Sequence, residues 1–494
     1  MPNFKIYNSY TREKELFEPI VPGNVGLYVC GPTVSGESHL GHARPYITFD
    51  VVYRYLMHLG YRVRYVRNIT DAGHFEEEGK EAEDKVSDKA KLERLEPMEL
   101  VQKYTNLFHW GMRLFNTIEP SIEPTATGHI IEQISMIEKI MSEGYAYEVN
   151  GSVYFDVKKY ADTHAYGKLS GRIIDDLLET TRDLEGQNEK RNKVDFALWK
   201  SAPPQHIMRW KSPWGEGFPG WHIECSAMSA KYLGDVFDIH GGGMDLQFPH
   251  HESEIAQSTI AHGHAPVRYW MHNNMITING KKMGKSYNNV IKLTELFSGN
   301  HPLLEQPYHP MVVRFYILQT HYRSTLDFSN EALQASEKGL KRLWEAYETL
   351  KQLTTSDHGD ASLDTQVKET IAALDACMND DLNTAQVVAT LFELVPIINS
   401  MKGGQIQQGT LSTNTLTLLK QAFKTYLEDI LGLQSVQESQ GDKLDRAMSV
   451  LIDIRKEARK RKDWTTSDEI RNKLAAFGIM LKDEKDGSMS YAIE

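Results

Sequence analysis

The stretch from Leu27 to Gly60 constrains this chain more than any other. The apolar run Leu27-Tyr28-Val29-Cys30 stops at Gly31-Pro32, which reads as a buried strand ending in a turn. His39-Leu40-Gly41-His42 follows, and Phe49, Val52, Tyr53, Leu56, Met57 and Leu59 then keep helical spacing. Pro45 falls in the first turn, where proline is tolerated, and Gly60 supplies a stop. A strand, a glycine turn and a helix N-terminus make a place where free backbone N–H groups and the helix dipole attract an anion. His39 and His42 at that entrance add donors that reach phosphate oxygens without a permanent charge. A lone His-x-x-His more often caps or packs a helix start, so the rest of the chain has to decide between the two.

At 494 residues the chain exceeds a single core, and roughly two to four domains are expected. Hydrophobic content of 40% and charged content of 25% match a soluble globular protein. Met1-Pro2-Asn3-Phe4-Lys5 opens without an apolar leader, and no later stretch reads as long and apolar enough to span a bilayer. Cys30, Cys225 and Cys377 are far apart and odd in number. A disulfide framework is not expected, a reducing cytoplasm fits, and the thiols are free for metal or packing. A net charge of −12 argues against indiscriminate nucleic-acid coating while leaving room for a local basic face.

Arg62 to Ile69 alternates as a second strand, so strand, helix and strand form a parallel α/β unit. Glu76 to Glu96 is dense in Glu and Lys and reads as a solvated helix or loop. Thr127 to Gly144 is an amphipathic helix, Ser152 to Asp156 a strand, and Asp175 to Lys193 a polar excursion. The Trp214 to Trp221 segment reads as a rigid glycine and proline loop, running through His222-Ile223-Glu224-Cys225 into a helix. Val236 to His240 is a strand ended by Gly241-Gly242-Gly243, and Asn279-Gly280 marks a tight hairpin. Helical periodicity dominates from about Asn330, Ser435 to Asp442 reads as a linker, and another amphipathic helix follows from Leu444.

Three constellations carry chemistry. His250 and Glu254 stand four apart at the head of a helix and project from one face. With Cys225 before them, and Cys30 if roughly Glu119 to Trp210 is an insertion between two halves of one α/β domain and those halves meet, they offer two sulfurs, an imidazole and a carboxylate, a set suited to zinc. The competing reading is two ordinary buried cysteines and a surface His250-His251 pair, since no C-x-x-C spacing is present. Lys281-Lys282-Met283-Gly284-Lys285-Ser286 is a basic loop after a hairpin, able to neutralise charge on departing phosphates, or simply a solvated turn. Gly243 followed by Asp245 lets backbone approach a flat ring and offers a carboxylate to ribose hydroxyls, although glycines also end strands.

Together these pieces resemble a known family. The order His39-Leu40-Gly41-His42, Gly243-Met244-Asp245, Lys282-Met283-Gly284-Lys285-Ser286 is similar to class I aminoacyl-tRNA synthetases. Tyr28 to Val34, Gly220 to Met228 and Phe248 to Glu254 resemble the cysteinyl-tRNA synthetases more narrowly. The resemblance extends through Asn379-Asp380-Asp381-Leu382-Asn383-Thr384 and Arg455 to Leu474. Leu40 stands where isoleucine is usual, and Gly284 where serine is frequent. Ser35-Gly36-Glu37 and Ala72-Gly73-His74 depart from the commoner forms beside the pocket.

The resemblance implies a fold: an α/β, Rossmann-type parallel-sheet catalytic domain with an insertion, then a helical bundle and a small C-terminal anticodon-binding module. The expected boundaries are 1–118 and 211–329 for the catalytic domain with its lysine loop, 119–210 for the insertion, 330–434 for the bundle and 443–494 for the module. It also implies a reaction: L-cysteine and ATP form cysteinyl-adenylate, and the cysteinyl group passes to the 3′ adenosine of tRNA(Cys). His39, His42, Lys282 and Lys285 are the implied catalytic residues. Gly243 and Asp245 would seat adenosine, with Mg²⁺ accompanying ATP. One zinc per chain, on Cys30, Cys225, His250 and Glu254, would select the substrate thiolate, where shape alone distinguishes serine from cysteine by only about 1–3 kcal/mol. Thr70, Trp221 and His240 match positions lining the cysteine pocket. Arg455, Arg459, Arg461 and Trp464 would meet tRNA phosphates and unstacked bases, unless they form a solvated helix end. A cytoplasmic monomer without membrane attachment is expected. A ligase handing cysteine to a small amine would resemble the catalytic half alone, and a non-catalytic RNA-binding relative would not need the intact histidines and lysines.

Overall fold

The computed structural model describes residues 3–72, 96–173, 189–204, 206–284, 287–355, 359–407, 409–436, 440–483 and 489–493. Lys285 and Ser286, Gly73 and His74, residues 76–95 of the Glu76–Glu96 stretch and residues 175–188 of the Asp175–Lys193 stretch lie outside them. The chain forms two compact units, Met1–Gln434 and Ser435–Glu494.

The first unit is built on four parallel strands: β1 (Asn24–Val29), β2 (Arg62–Arg67), β3 (Phe237–Gly243) and β4 (Val267–Asn273). Their spatial order is β4-β3-β1-β2. Strand order therefore reverses between β1 and β3, and a crevice opens beyond the C-terminal ends of such a pair. Helix α1 (Leu40–His58) links β1 to β2 and buries Ile47, Phe49, Val51, Val52, Tyr55 and Leu56. Gly241, Gly242 and Gly243 continue β3 rather than ending it. A Cβ on Gly241 would lie 2.1 Å from the Phe49 ring, so the glycine is what lets α1 lie on the sheet.

Helices α2 (Trp221–Leu233) and α3 (His250–His262) flank β3 in sequence and pack on each other. On one side Cys225, Met228 and Ile255 join Tyr28, Cys30 and Val66 of the parallel sheet. On the other, Ile223, Ala227, Ala256 and Ile260 join a core of Val153, Phe155, Leu198 and Trp199. That second core belongs to a five-stranded antiparallel sheet formed by Ala146–Val149, Ser152–Phe155, Phe196–Ser201, Gly215–Pro219 and Trp210–Ser212, in that spatial order. The stretch read as a glycine and proline loop thus contains a strand. Gly215–Pro219 pairs on both edges, and its neighbours' hydrogen bonds outweigh its poor strand propensity. The inserted sheet therefore runs past the expected boundary at 210. At the other boundary, residues 122–125 align with the edge of the parallel sheet, where Arg67 N donates to Ile122 O at 3.1 Å and Ile69 N to Pro124 O at 2.8 Å.

The hairpin forms between Ile276–Ile278 and Lys281–Lys282, with Asn279 and Gly280 both at positive φ (51° and 73°). Helices Asn330–Gln352, Ala361–Asn379, Thr384–Lys402 and Thr413–Phe423 complete the unit. In the first of these Leu333, Leu340, Leu343, Tyr347 and Leu350 keep the spacing of one buried face. Thr384–Lys402 corrects the expectation that no stretch is apolar enough for a bilayer, since its length and composition pass that test. Half of its apolar window is buried against Asn330–Gln352 and Ala361–Asn379, as suits the core helix of a bundle.

The second unit holds helices Gln440–Lys460 and Trp464–Ala476 and a hairpin of Ile479–Asp483 with Met489–Ile493. Its first helix begins inside the stretch read as linker.

Candidate active site

The crevice between β1 and β3 gathers Cys30, Cys225, His250 and Glu254. Cys30 follows β1, and its N–H donates to Gly241 O at 3.1 Å, which extends the β1–β3 pairing to the sheet's end. α2 presents Cys225, and α3 presents His250 and Glu254 from adjacent turns. One ligand atom from each of Cys30, Cys225, His250 and Glu254 lies within 4.8 Å of all the others, and all four side chains are buried. The two sulfurs are 3.7 Å apart. His250 Nε2 is 3.1 Å from Glu254 Oε1 in an arrangement that misses hydrogen-bond geometry, as expected of donors aimed at a shared point rather than at each other. Two soft sulfurs, one imidazole and one carboxylate at this separation fit a tetrahedral zinc.

Electrostatics favour ligand protonation states in part of this set. Burial pushes the Cys225 thiol up, but the Cys30 hydrogen bond and nearby His250 outweigh it and bring it down to about 6. Burial also raises the Glu254 carboxyl, and His240 and His250 overcome that and hold it at about 2. Cys30 is driven well above its ordinary range by burial and by Cys225. Binding of a divalent cation by these thiols would release whatever protons they hold.

The surroundings orient this set. His222 Nδ1 lies 2.9 Å from His250 Nδ1, and burial keeps His222 neutral. Trp221 covers His250 with ring centroids 4.2 Å apart. His240 Nε2 lies 2.9 Å from Glu254 Oε2 and its ring stacks on Trp270. Thr70 is one step removed: its hydroxyl donates to Glu224 Oε2 at 2.9 Å, beside Cys225 in sequence. Sequence reasoning passed over His251, whose Nε2 lies 3.2 Å from Cys30 Sγ and whose Nδ1 lies 2.7 Å from His272 Nε2. Cys30, His240, His251 and Glu254 form a second buried donor set sharing two members with the first. The three-residue spacing of His251 and Glu254 was a usable signal. His272 had none, because only the β3–β4 register brings it there.

The anion entrance lies on the same side. His39 and His42 stack with centroids 3.7 Å apart, and His42 Nδ1 accepts from His39 N at 3.2 Å. The pair therefore does cap α1, as the plainer reading held. Burial, helped by His39, pulls His42 down to about 3, so its ring is neutral near pH 7. The lysine hairpin is tied to this entrance at its exit: Leu40 N donates to Ile291 O and Leu293 N to Ser38 O, both at 2.9 Å. Met283 Sδ sits 3.8 Å from where a Cβ of Gly41 would be. Lys282 is exposed, and buried Asn289 brackets Met283 by donating to Lys282 O and accepting from Gly284 N. Asp245 stands exposed just past the end of β3. In the second unit Arg461 and Trp464 are exposed, and the Arg459 guanidinium lies 6.0 Å from the Trp464 ring centroid. Arg455 does not join them. Its spacing from Met448 and Ile452 puts it on the apolar face of its helix, and it is buried with them.

Comparison with known proteins agrees with this geometry. Residues 16–338 match a family model described as the class I (C) tRNA synthetase catalytic domain. Residues 373–435 match the DALR domain, and residues 442–488 the cysteinyl-tRNA ligase anticodon binding domain. A cysteine–tRNA ligase of Bacteroides thetaiotaomicron is 59% identical, covering 98% of this chain and 97% of the relative. One from Porphyromonas gingivalis is 57% identical, covering 98% of each. Among solved structures, Mycobacterium tuberculosis methionyl-tRNA synthetase in complex with methionyl-adenylate superposes with a TM-score of 0.55 at 13% identity. It covers 82% of this chain and 89% of that one, a likeness of fold.

Proposed function

The chain belongs to the cysteine–tRNA ligases of the class I aminoacyl-tRNA synthetases, and on that premise we propose that it charges tRNA(Cys) with L-cysteine at the crevice between β1 and β3. The observation that carries the reading is the convergence of Cys30, Cys225, His250 and Glu254 from three separate segments. These four would hold one zinc, which supplies affinity for a thiolate that a hydroxyl cannot match. Trp221 and His240, packed against His250 and Glu254, would wall the cysteine side chain.

In the first step a carboxylate oxygen of cysteine attacks the α-phosphorus of ATP, and pyrophosphate leaves. Little covalent help is needed, so positioning and charge stabilisation supply the rate. His39 and the neutral ring of His42 would donate hydrogen bonds to phosphate oxygens. Lys282 and Lys285 would neutralise charge on the departing pyrophosphate, with Mg²⁺ accompanying ATP. Gly243 and Asp245 would seat adenosine. In the second step a ribose hydroxyl of the tRNA's terminal adenosine attacks the adenylate carbonyl and AMP leaves. Arg459, Arg461 and Trp464 would hold the distal part of the tRNA. Three free cysteines suit a reducing cytoplasm, and we take the chain as a monomer there, without membrane attachment.

Metal analysis alongside pyrophosphate exchange tests this. One zinc per chain and exchange with cysteine but not serine are expected, with both zinc and exchange lost in Cys225→Ser. Full zinc stoichiometry in Cys225→Ser would refute the ligand set. His251→Gln should keep the metal; its loss there, with retention in Cys225→Ser, would move the site to the second donor set.

A further inference from the structure

The segment Asn379–Thr384 has no task in the reaction above, yet it contains a fully buried carboxylate on an unusual backbone. Asp381 and Leu382 both adopt positive φ (63° and 55°), a conformation that persists in non-glycine residues only where the surroundings over-determine it. Asp381 Oδ1 accepts from Tyr7 N at 2.8 Å and from Tyr322 OH at 2.6 Å, and Oδ2 accepts from Arg323 Nε at 2.7 Å. Its own N–H donates to Lys5 O at 3.0 Å. His321 Nε2 lies 3.6 Å from Oδ2. One carboxylate thus grips the turn 321–324 and ties it to the N-terminal strand Lys5–Asn8.

The same turn is gripped from its other side. Arg44, two residues beyond His42 on α1, is buried, and its guanidinium donates to Met275 O at 2.6 Å, to His321 O at 3.3 Å and to Ser324 O. Asn274 completes the seat: its N–H donates to Tyr322 O at 2.8 Å and its Nδ2 to Arg323 O at 2.9 Å. Asn274 and Met275 lead directly into Ile276–Ile278, the first strand of the lysine hairpin, and Leu326–Phe328 beyond the turn pairs with it in parallel. The turn is therefore the block on which the lysine hairpin stands, and Arg44 fixes that block to the helix whose first turn holds His42.

We propose that Asp381 is a positioning residue for adenylate formation. By locking the turn 321–324 it sets the spacing between the histidine entrance and the lysine hairpin, the two walls that must close on one ATP. This rests on the preceding reading of those walls. The carboxylate touches no reacting atom; it acts through Tyr322 and Arg323. A displacement of about an ångström at such a seat costs on the order of a hundredfold in rate.

The test is cysteine-dependent pyrophosphate exchange by full-length wild type and the Asp381→Asn, Arg323→Gln and Tyr322→Phe variants, with zinc content measured on the same samples. Asp381→Asn keeps the side-chain shape and removes the charge. Its kcat is expected to fall by about a hundredfold while KM for cysteine and zinc content stay at wild-type values, because the metal set lies on other elements. Hydrogen exchange of the amides in 274–282 should quicken, with the helix Thr384–Lys402 unaffected. Arg323→Gln should reproduce the phenotype, Tyr322→Phe a weaker one, and the Asp381→Asn, Arg323→Gln double variant should be no worse than either single one. An unchanged kcat in folded Asp381→Asn overturns the proposal, as does a matching loss of zinc and cysteine affinity. If Asp381→Asn fails to fold, unchanged kcat in both partner variants overturns it. A wild type devoid of exchange would take down the preceding reading and this one together, whereas an active wild type matched by its variants removes only this one.

Discussion

The ring of His42 shows how a single half-buried group affects stability. Its ordinary value is 6.5, and burial with the neighbouring His39 lowers it to about 3 in the fold. Between those two values the unfolded chain binds a proton that the folded one refuses. Stability must therefore fall as pH drops from about 6.5 toward 3, by up to about 1.4 kcal/mol per pH unit from this group, and be indifferent to it above 6.5. Urea midpoints measured across that window should lose part of their slope in His42→Gln. The neutral ring also means that KM for ATP should not track His42 titration between about pH 6.5 and 8. Sequence reasoning placed His42 correctly at the helix entrance, because the strand-turn-helix pattern is local. That the ring would be half-buried against His39 was not legible, because the stacking of the two rings depends on how the chain enters the helix. The same holds for His250 and His251. Spacing four and three from Glu254 makes both plausible ligands, and only the fold reveals that one faces Cys225 while the other faces Cys30 and His272.

Elements repeat this division. Helix α3 carries His250, His251, Glu252, Ser253, Glu254, Gln257 and Ser258, a composition that suits solvent, yet all seven are buried. It is enclosed because the inserted sheet covers one side of the α2–α3 pair and the parallel sheet the other. Polar groups tolerate such burial when partnered, as Glu252 is by Ser170 and Ser226 by Gln257. The contact between α1 and β3 is narrower still. An alanine at 241 would put its Cβ into the Phe49 ring, so Gly241→Ala should cost about 1–3 kcal/mol by overpacking, and Phe49→Leu should recover part of that in the double variant. Denaturant unfolding of the four proteins checks both numbers, and a Gly241→Ala protein as stable as wild type would refute the packing argument. Periodicity announced α1 and the second strand, an apolar run the first, and turn chemistry the Asn279-Gly280 hairpin. Propensity failed at Gly215–Pro219, where strand partners decide what it opposes.

The whole molecule carries a net charge of −12, while its second unit exposes Lys460, Arg461, Lys462 and Trp464 near one helix junction. Arg461→Ala and Trp464→Ala are expected to weaken tRNA(Cys) binding and charging while leaving tRNA-independent pyrophosphate exchange intact. Arg461→Ala should also flatten the salt dependence of binding by roughly one counterion. Filter binding at several salt concentrations beside an exchange assay separates these effects, and equal loss of both activities would contradict the division of labour. Arg455→Ala should instead act on the stability of the second unit, since that side chain is buried. By itself the sequence determined the parallel α/β class, the helical region after Asn330, the ordered motifs of a class I synthetase and the chemical types of the candidate metal donors. These follow from local periodicity, turn chemistry and residue identity, which nearest neighbours along the chain enforce. Tertiary structure alone decided which donors meet, where the inserted sheet ends, and that Asp381 grips the seat of the lysine hairpin. Each of those is a contact between residues tens to hundreds of positions apart, fixed by strand order and packing rather than by any local rule.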